Sequence, residues 1–355
     1  MKLRFILLLL LVNLIGYNGF SQKKKKKATN TSSNIHQYKQ TKYYTTILSD
    51  TGTFNGKLKT DSWIEYEVDT SFKGQKLTLP LEGGDTTITL GDIAVKHVGK
   101  YINGKKTGVW KSYISLEKSP PFYWEIQLIE TYKDGELNGK RKKYTLTDQL
   151  ILDEQYLNGK KHGPSKTFFP NGDIQSIVRY ENGLKHGLQE SFYPGWNIRK
   201  RINFTNGFAF GNIELYSPKG VLLEKGELIN NQLQGKYEWF SSETGKLIKE
   251  GEYTTSKKSG NWKTFYSTGE LESEYTCVND QPDGRWTYYY KNGKIWSERN
   301  YKEGKNWEVL SNYGPEGKEQ DKGTLKNGNG TIIIYDEKGD KTQELTFENG
   351  LEIKK

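Results

Sequence analysis

Residues 156–179 read YLNGKKHGPSKTFFPNGDIQSIVR, and residues 180–203 read YENGLKHGLQESFYPGWNIRKRIN. Laid over each other, the blocks share Tyr-x-Asn-Gly at the start, Lys-His-Gly at positions six to eight, and an aromatic pair at positions thirteen and fourteen. Self-similarity at a short fixed period marks a repeat architecture. Working outward, units start at Tyr132, Tyr156, Tyr180, Phe204, Leu228, Tyr253, Cys277, Tyr301 and Leu325, at steps of 24 with one of 25 after Leu228. Phe347 to Gly350 is a closing half unit. Upstream, Tyr101 opens a unit stretched to 31 residues around Pro120 and Pro121, and Phe54 with Trp63 and Tyr66 reads as a degenerate first unit.

Two positions hold the register. The eighth is Gly108, Gly139, Gly163, Gly187, Gly211, Gly235, Gly260 and Gly284 in successive units. The thirteenth is Tyr113, Tyr144, Phe168, Phe192, Tyr216, Phe240, Phe265, Tyr289 and Tyr313. Segments such as Lys166-Thr-Phe-Phe169 and Trp286-Thr-Tyr-Tyr-Tyr290 favour strands. They end at pairs such as Asn171-Gly172 or Asn292-Gly293, where glycine tolerates the positive φ of a tight hairpin. Alternating runs such as Ile174 to Tyr180 return the chain to Asn-Gly-x-x-x-Gly, and helical periodicity and caps are absent. Each unit therefore predicts two short antiparallel strands. At ~4.8 Å per strand, about ten units would make an elongated single-layer meander roughly 100 Å long. A unit of this kind buries its apolar face only against its neighbours. The thirteenth-position aromatic ladder is the expected internal seam.

Composition agrees with a thin β array. Among 355 residues there are 38 Gly, 24 Tyr, 14 Phe and 9 Trp, yet only 33% are apolar. A thick globular core is disfavoured by the low apolar content, and simple disorder by the aromatics. One Cys excludes a disulfide framework. The net charge of +10 is local: seven of the 53 bases lie in residues 1–27, which hold no acid, leaving 46 bases against 43 acids. The near-neutral body and the expected export speak against nucleic-acid binding.

Lys2 and Arg4 precede the apolar run Phe5 to Val12, and small residues close the stretch at Gly19-Phe20-Ser21. This is the pattern of a signal peptide over residues 1–21, with an apolar run too short for the ~20 residues of a transmembrane span. Periplasm, outer-membrane association and the cell exterior are the expected destinations. The thiol of Cys277 is too far from this segment for a lipoprotein anchor. Residues 22–50, with Lys23 to Lys27, read as a Lys-rich disordered tether. Residues 51–131 are expected to be irregular or degenerate β repeats serving as an N-terminal cap, and residues 132–355 the regular array. The runs within 67–100 read either as strands of irregular repeats or as a small β cap.

The pattern Y-x-N-G-x-x-x-G-x-x-x-x-[FY]-[FY]-x-x-G-x-[ILV], over about residues 101–350, resembles the MORN repeat variant found in proteins called YwqK-family antitoxin components. The resemblance implies an all-β repeat structure built from MORN-like β-hairpins that acts in binding rather than chemistry. It also implies scaffolding, phospholipid contact or neutralisation of a partner toxin as roles. The sequence departs from the pattern at Glu308, which replaces the eighth glycine, at Trp196, which displaces the second turn glycine by one, and at Cys277 and two leucines in the opening position.

No catalytic constellation emerges, and neither a metal nor a cofactor is expected. His162 and His186 recur one period apart as turn residues, too far apart to share a metal without movement, since ligand bonds are ~2.1 Å. Cys277 reads as a small buried hydrophobe. Acids such as Glu272 and Glu274 read as a solvated sheet face, not a glycosidase pair across a cleft. What remains is a second aromatic row at positions ten and fourteen: Trp110, Phe169, Tyr193, Trp262, Tyr266, Trp286 and Tyr290. Strand alternation puts positions thirteen and fourteen on opposite faces. This second row is either a solvent-facing binding face or a face covered by curling of the sheet. The expected function is an exported, non-enzymatic repeat protein binding a protein or cell-envelope partner. Toxin neutralisation and carbohydrate binding through the aromatic face are the alternatives.

Overall fold

The computed structural model describes residues 51–353 apart from 56–57, 70–75, 80–85, 90–92, 116–123 and 146–147. The expected signal peptide and tether lie outside the described residues. Every regular element among those described is a β-strand. The described residues fall into two compact units that divide between Leu184 and Lys185, within the stretch read as the regular array.

In the first unit, Leu58–Asp69 pairs with Ile93–Ile102. The strands Lys105–Ser115, Glu125–Lys133, Glu136–Tyr144, Leu150–Leu157, Gly163–Phe168 and Ile174–Glu181 then follow as an antiparallel meander. Lys76–Leu79 and Thr86–Thr89 pair only with each other. The segment 67–100 thus holds a separate hairpin between two strands of the main sheet. In the second unit the meander runs from Gly187–Phe192 to Lys305–Tyr313. A three-stranded ladder of Gly330–Tyr335, Lys341–Glu348 and Leu351–Ile353 follows it.

The eighth-position glycine makes a bulge in each unit. Ile202 faces Ile213 and Phe204 faces Ala209, so Phe210, Gly211 and Asn212 stand against Asn203 alone. Gly211 has φ +82°, and all eight glycines lie between +63° and +126°. A side chain is strained in that region, and a bulge needs such a residue. Where Glu308 replaces the glycine, the irregularity splits in two, between Glu298 and Arg299 and between Asn300 and Tyr301. Glu308 keeps an ordinary φ, and Val309 takes the buried slot that Trp262 fills in its own unit. The hairpin turns are also tied from unit to unit. The amide N–H of Gly159 donates to Leu137 O, Gly183 to Lys161 O, Gly207 to Lys185 O and Gly304 to Pro282 O, each at 2.8 Å.

The core corrects the expected seam. Three of its four clusters among the described residues are Trp63, Tyr101 and Trp110; Ile202, Ala209, Ile213, Leu228 and Tyr237; and Trp262, Tyr275 and Cys277. These are the first, sixth, tenth and twenty-third positions of the unit. The thirteenth-position residues Tyr113, Tyr144, Phe168, Phe192, Tyr216, Phe240, Phe265, Tyr289 and Tyr313 are all half-buried. They stand on the opposite face from position ten, because three steps along a strand reverse the side. There Tyr216 donates to Glu214 Oε2 at 2.8 Å and Tyr289 to Glu274 Oε1 at 2.6 Å. The rest of that face is a charge ladder: Lys236 bridges Glu238 and Glu250 at 3.0 and 2.8 Å, and Arg201 reaches Glu190 at 3.3 Å.

Candidate binding site

The buried face has a rule that the repeat alone did not reveal. An added Cβ at Gly99 would lie 2.1 Å from the Trp110 ring, at Gly226 2.2 Å from Tyr237, and at Gly251 2.2 Å from Trp262. Each glycine lies beside its ring across the strand pair, eleven residues earlier in sequence. The missing side chain is the seat on which the ring lies flat. Lysines close the ring row from the turn edge: Lys59 lies 4.1 Å from the Trp63 ring centre, Lys106 4.0 Å from Trp110, and Lys258 5.0 Å from Trp262. These cation–π contacts recur at the sixth position of the unit. A second cation, Lys249, stands 5.5 Å from Trp239 and 5.3 Å from Trp262. Burial, and then the charge of Lys258, push its pKa down.

The second aromatic row is not a solvent-facing one. Trp110 is 2% exposed, Trp262 0% and Tyr290 4%, while Phe169, Tyr193, Tyr266 and Trp286 are half-buried. The position-ten rings are core because the glycine seats draw them in. The position-fourteen tyrosines are inter-unit pegs: Tyr193 donates to Tyr216 O at 3.1 Å, Tyr266 to Tyr289 O at 2.6 Å, and Tyr290 to Tyr313 O at 2.8 Å.

Trp286 breaks the rule. The residue eleven before it is Tyr275, not glycine, so the indole stacks on a phenol ring, 4.0 Å between centres and 17° between planes. On its other side it stacks on Tyr288 at 5.4 Å and 8°. Burial, reinforced by the Cys277 and Tyr253 charges, pushes Tyr275 up to about 12. The indole N–H of a core tryptophan finds a backbone carbonyl: Trp63 donates to Thr60 O at 2.9 Å, Trp110 to Lys100 O at 3.1 Å, and Trp262 to Ser259 O at 3.1 Å. The carbonyl three residues before Trp286 belongs to Asp283 and accepts from Thr276 Oγ1 instead. Trp286 Nε1 is buried with no partner, and so are Arg299 Nε and Ser297 Oγ. Their residues are neighbours, since Trp286 faces Arg299 and Tyr288 faces Ser297 across the same strand pair. The guanidinium carbon lies 5.6 Å from the Tyr288 ring centre.

Farther along this face a half-buried arginine is paired on both sides. Arg141 faces Glu130 on one side and Glu154 on the other, at 3.0 and 3.2 Å. Glu154, 2% exposed, also accepts from Lys161, Ser165 and Tyr156. Burial would raise the Glu154 pKa, but the bonds and charges of Lys161 and Arg141 outweigh it and hold the carboxyl low. Arginine at the tenth position was unremarked in the sequence. The signal that could have found it is that both its cross-strand neighbours are glutamates.

The remaining sequence candidates have structural surroundings. Cys277 is 3% exposed under Trp262 and Tyr275, and burial raises its thiol pKa. His97 Nδ1 is 2.8 Å from Ser112 Oγ. His162 is half-buried in its turn, and His186 is exposed in another. Among the described residues no group of three or more His, Cys, Asp or Glu side chains converges to hold a metal, and no helix is long and apolar enough to cross a membrane.

Fold and site together define a β-repeat protein whose units stack through rings on glycine seats. Residues 161–182, 258–279 and 282–303 match the family model of the MORN repeat variant. No curated protein matches the chain. Among solved structures it is similar to a TcdB2-TccC3-Cdc42 complex, at 13% identity over 71% of this chain and 15% of that one, with a TM-score of 0.14. For TcdB2-TccC3 without its hypervariable C-terminal region the values are 13%, 84%, 18% and 0.15. For the Photorhabdus luminescens Tc holotoxin pore they are 12%, 81%, 17% and 0.12. The chain thus spans less than a fifth of the length of these structures, and likeness at this level carries no conclusion about its fold or role.

Proposed function

We propose that the chain is an exported, non-enzymatic repeat protein that offers an extended β surface to a protein or cell-envelope partner. One observation carries the reading. Trp286 Nε1, Ser297 Oγ and Arg299 Nε are buried with no hydrogen-bond partner, and their residues stand grouped on one strand pair. Each such group costs ~1–3 kcal/mol, and native folds keep few of them without a use. Export rests on the leader pattern at residues 1–21, and the non-catalytic role on the structural surroundings of Cys277 and His97. A toxin held by contact is one partner of this kind, in keeping with the resemblance to antitoxin components. The test is a pull-down with the full chain, tagged at its C-terminus, from envelope and secreted fractions. A specific partner retained by the wild type and lost with Trp286→Ala plus Arg299→Ala supports the reading. Retention of nothing beyond a tag control refutes it.

A further inference from the structure

We propose that Arg299, Trp286 and Ser297 form a receptor site for a side-chain carboxylate presented by an acidic polypeptide segment of the partner. This inference rests on the reading above and names the chemistry that this face recognises.

The fold shows what a guanidinium on this face takes. Arg141 stands between two cross-strand carboxylates, Glu130 and Glu154, and bonds to both. Arg299 stands at the same depth of its own strand pairs, but its cross-strand neighbours are Trp286 and Val309. No salt bridge links it to any described carboxylate, and its Nε is buried with no partner. The carboxylate that the first unit supplies internally is missing from the second. The atoms left over at Trp286, Arg299 and Ser297 are two donors and a hydroxyl, while the unpartnered acceptor Asn306 Oδ1 belongs to a residue that faces Tyr301 across the next strand pair. The ligand atom at this cluster is therefore an acceptor, and a cation beside it selects an anion. Nε and a terminal nitrogen of arginine form a fork matched to the two oxygens of one carboxylate. The indole N–H and the serine hydroxyl then bond the remaining lone pairs.

The rings decide against stacked ligands. Trp286 already has Tyr275 and Tyr288 on its two faces, and Tyr301 stands 5.2 Å away at 47°. A nucleobase or a pyranose would find no open ring face, whereas a carboxylate on a slender side chain needs none. Tyr288, over the guanidinium, is the side chain that turns to admit it. Lys249 and Lys258 at Trp262, and Lys302 at 4.8 Å from the Trp307 ring centre, extend the positive charge along the same stretch of units. A segment with several acids suits it better than a single one.

The experiment is fluorescence anisotropy of a fluorescein-labelled ten-residue glutamate-rich peptide titrated with the full chain, in parallel with Arg299→Lys, Trp286→Phe and Lys338→Ala. Arg299→Lys keeps the charge and loses the fork, so it separates this site from general attraction to a basic protein. The expected result is saturable binding, weakened about tenfold or more by Arg299→Lys, weakened less by Trp286→Phe and unchanged by Lys338→Ala. No saturable binding, or binding that Arg299→Lys leaves unchanged, overturns the site. Tighter Arg299-dependent binding of an oligogalacturonate or of single-stranded DNA, run as competitors, overturns the polypeptide assignment. A partner captured equally by wild type and Arg299→Lys refutes this site while leaving the binding function standing.

Discussion

Replacing Gly251 by alanine is the sharpest test of the glycine seats. The glycine does not lie in the left-handed region, so the substitution brings no backbone strain. Its new Cβ, however, would sit 2.2 Å from Cδ2 of Trp262, where carbon atoms ordinarily approach to ~3.5–4.0 Å. The ring must retreat by more than 1 Å, and it is 0% exposed, with Trp239 at 5.7 Å, Tyr253 at 5.4 Å and Tyr275 at 6.4 Å between centres. Overpacking of this kind costs about 1–3 kcal/mol, offset by about 0.4–1 kcal/mol because alanine stiffens the unfolded chain. A net loss of about 1–2 kcal/mol would lower the urea midpoint by roughly 0.5 M, read by circular dichroism. The displaced indole would also lose its bond to Ser259 O, shifting tryptophan emission to the red. Combining the change with Trp262→Leu should recover part of the loss, giving a coupling of ~1 kcal/mol in a double-mutant cycle. A Gly251→Ala protein as stable as the wild type, with unchanged emission, would refute the seat.

Other outcomes follow from the same geometry. Glu154→Gln removes the shared acceptor of Arg141 and Lys161 at a 2%-exposed position and should destabilise by about 3 kcal/mol in chemical denaturation. Glu154 and Glu65 are both held below their ordinary range in the fold, so they should stabilise it fully above an unfolded-state pKa of ~4.3. That contribution is lost as pH falls through the lower folded values, and a Tm-versus-pH profile should be flatter on the acid side in Glu154→Gln. Tyr290→Phe leaves Tyr313 O without the phenol donor at 2.8 Å and should cost about 1–2 kcal/mol in the same denaturation assay. The Cys277 thiol should react with a disulfide reagent only at the rate of unfolding, and fast labelling of the native chain would contradict its burial.

The period, the hairpin turns and the bulge were readable because each depends on one local property. Gly211 and its counterparts recur where the backbone needs positive φ, and Asn158-Gly159 recurs where the turn does. The inner face was harder to read. Positions ten and thirteen recur with the same period and both are rich in rings, so alternation says only that they oppose each other. What decides between them lies across the strand pair, in Gly99, Gly226 and Gly251, whose spacing of eleven from Trp110, Tyr237 and Trp262 becomes meaningful only once the pairing is known. The site was hidden for a related reason. Arg299 looks like one more surface base in a chain with 53, and its distinction is the absence of a cross-strand acid that Arg141 possesses.

Departures from the repeat therefore divide by whether the chain compensates for them. Glu308 removes a bulge glycine, and the ladder answers with two smaller irregularities and a valine, 2% exposed, in the ring slot. Trp196 takes a left-handed φ of +72° next to Asn197, whose amide donates to Pro218 O at 2.8 Å and anchors the distorted turn to the following one. Tyr275 opposite Trp286 is different in kind. It fills the glycine seat, lifts the indole, and leaves three donors that no neighbour meets. Tyr275 is also core, packed with Trp262 and Cys277, so Tyr275→Gly would empty a buried slot and should cost about 3 kcal/mol in denaturation. Trp286→Phe keeps the stack and removes the unmet indole N–H. If it stabilises the fold and weakens partner binding together, the unmet donor at 286 is kept for recognition, because a purely structural defect would improve the one without touching the other.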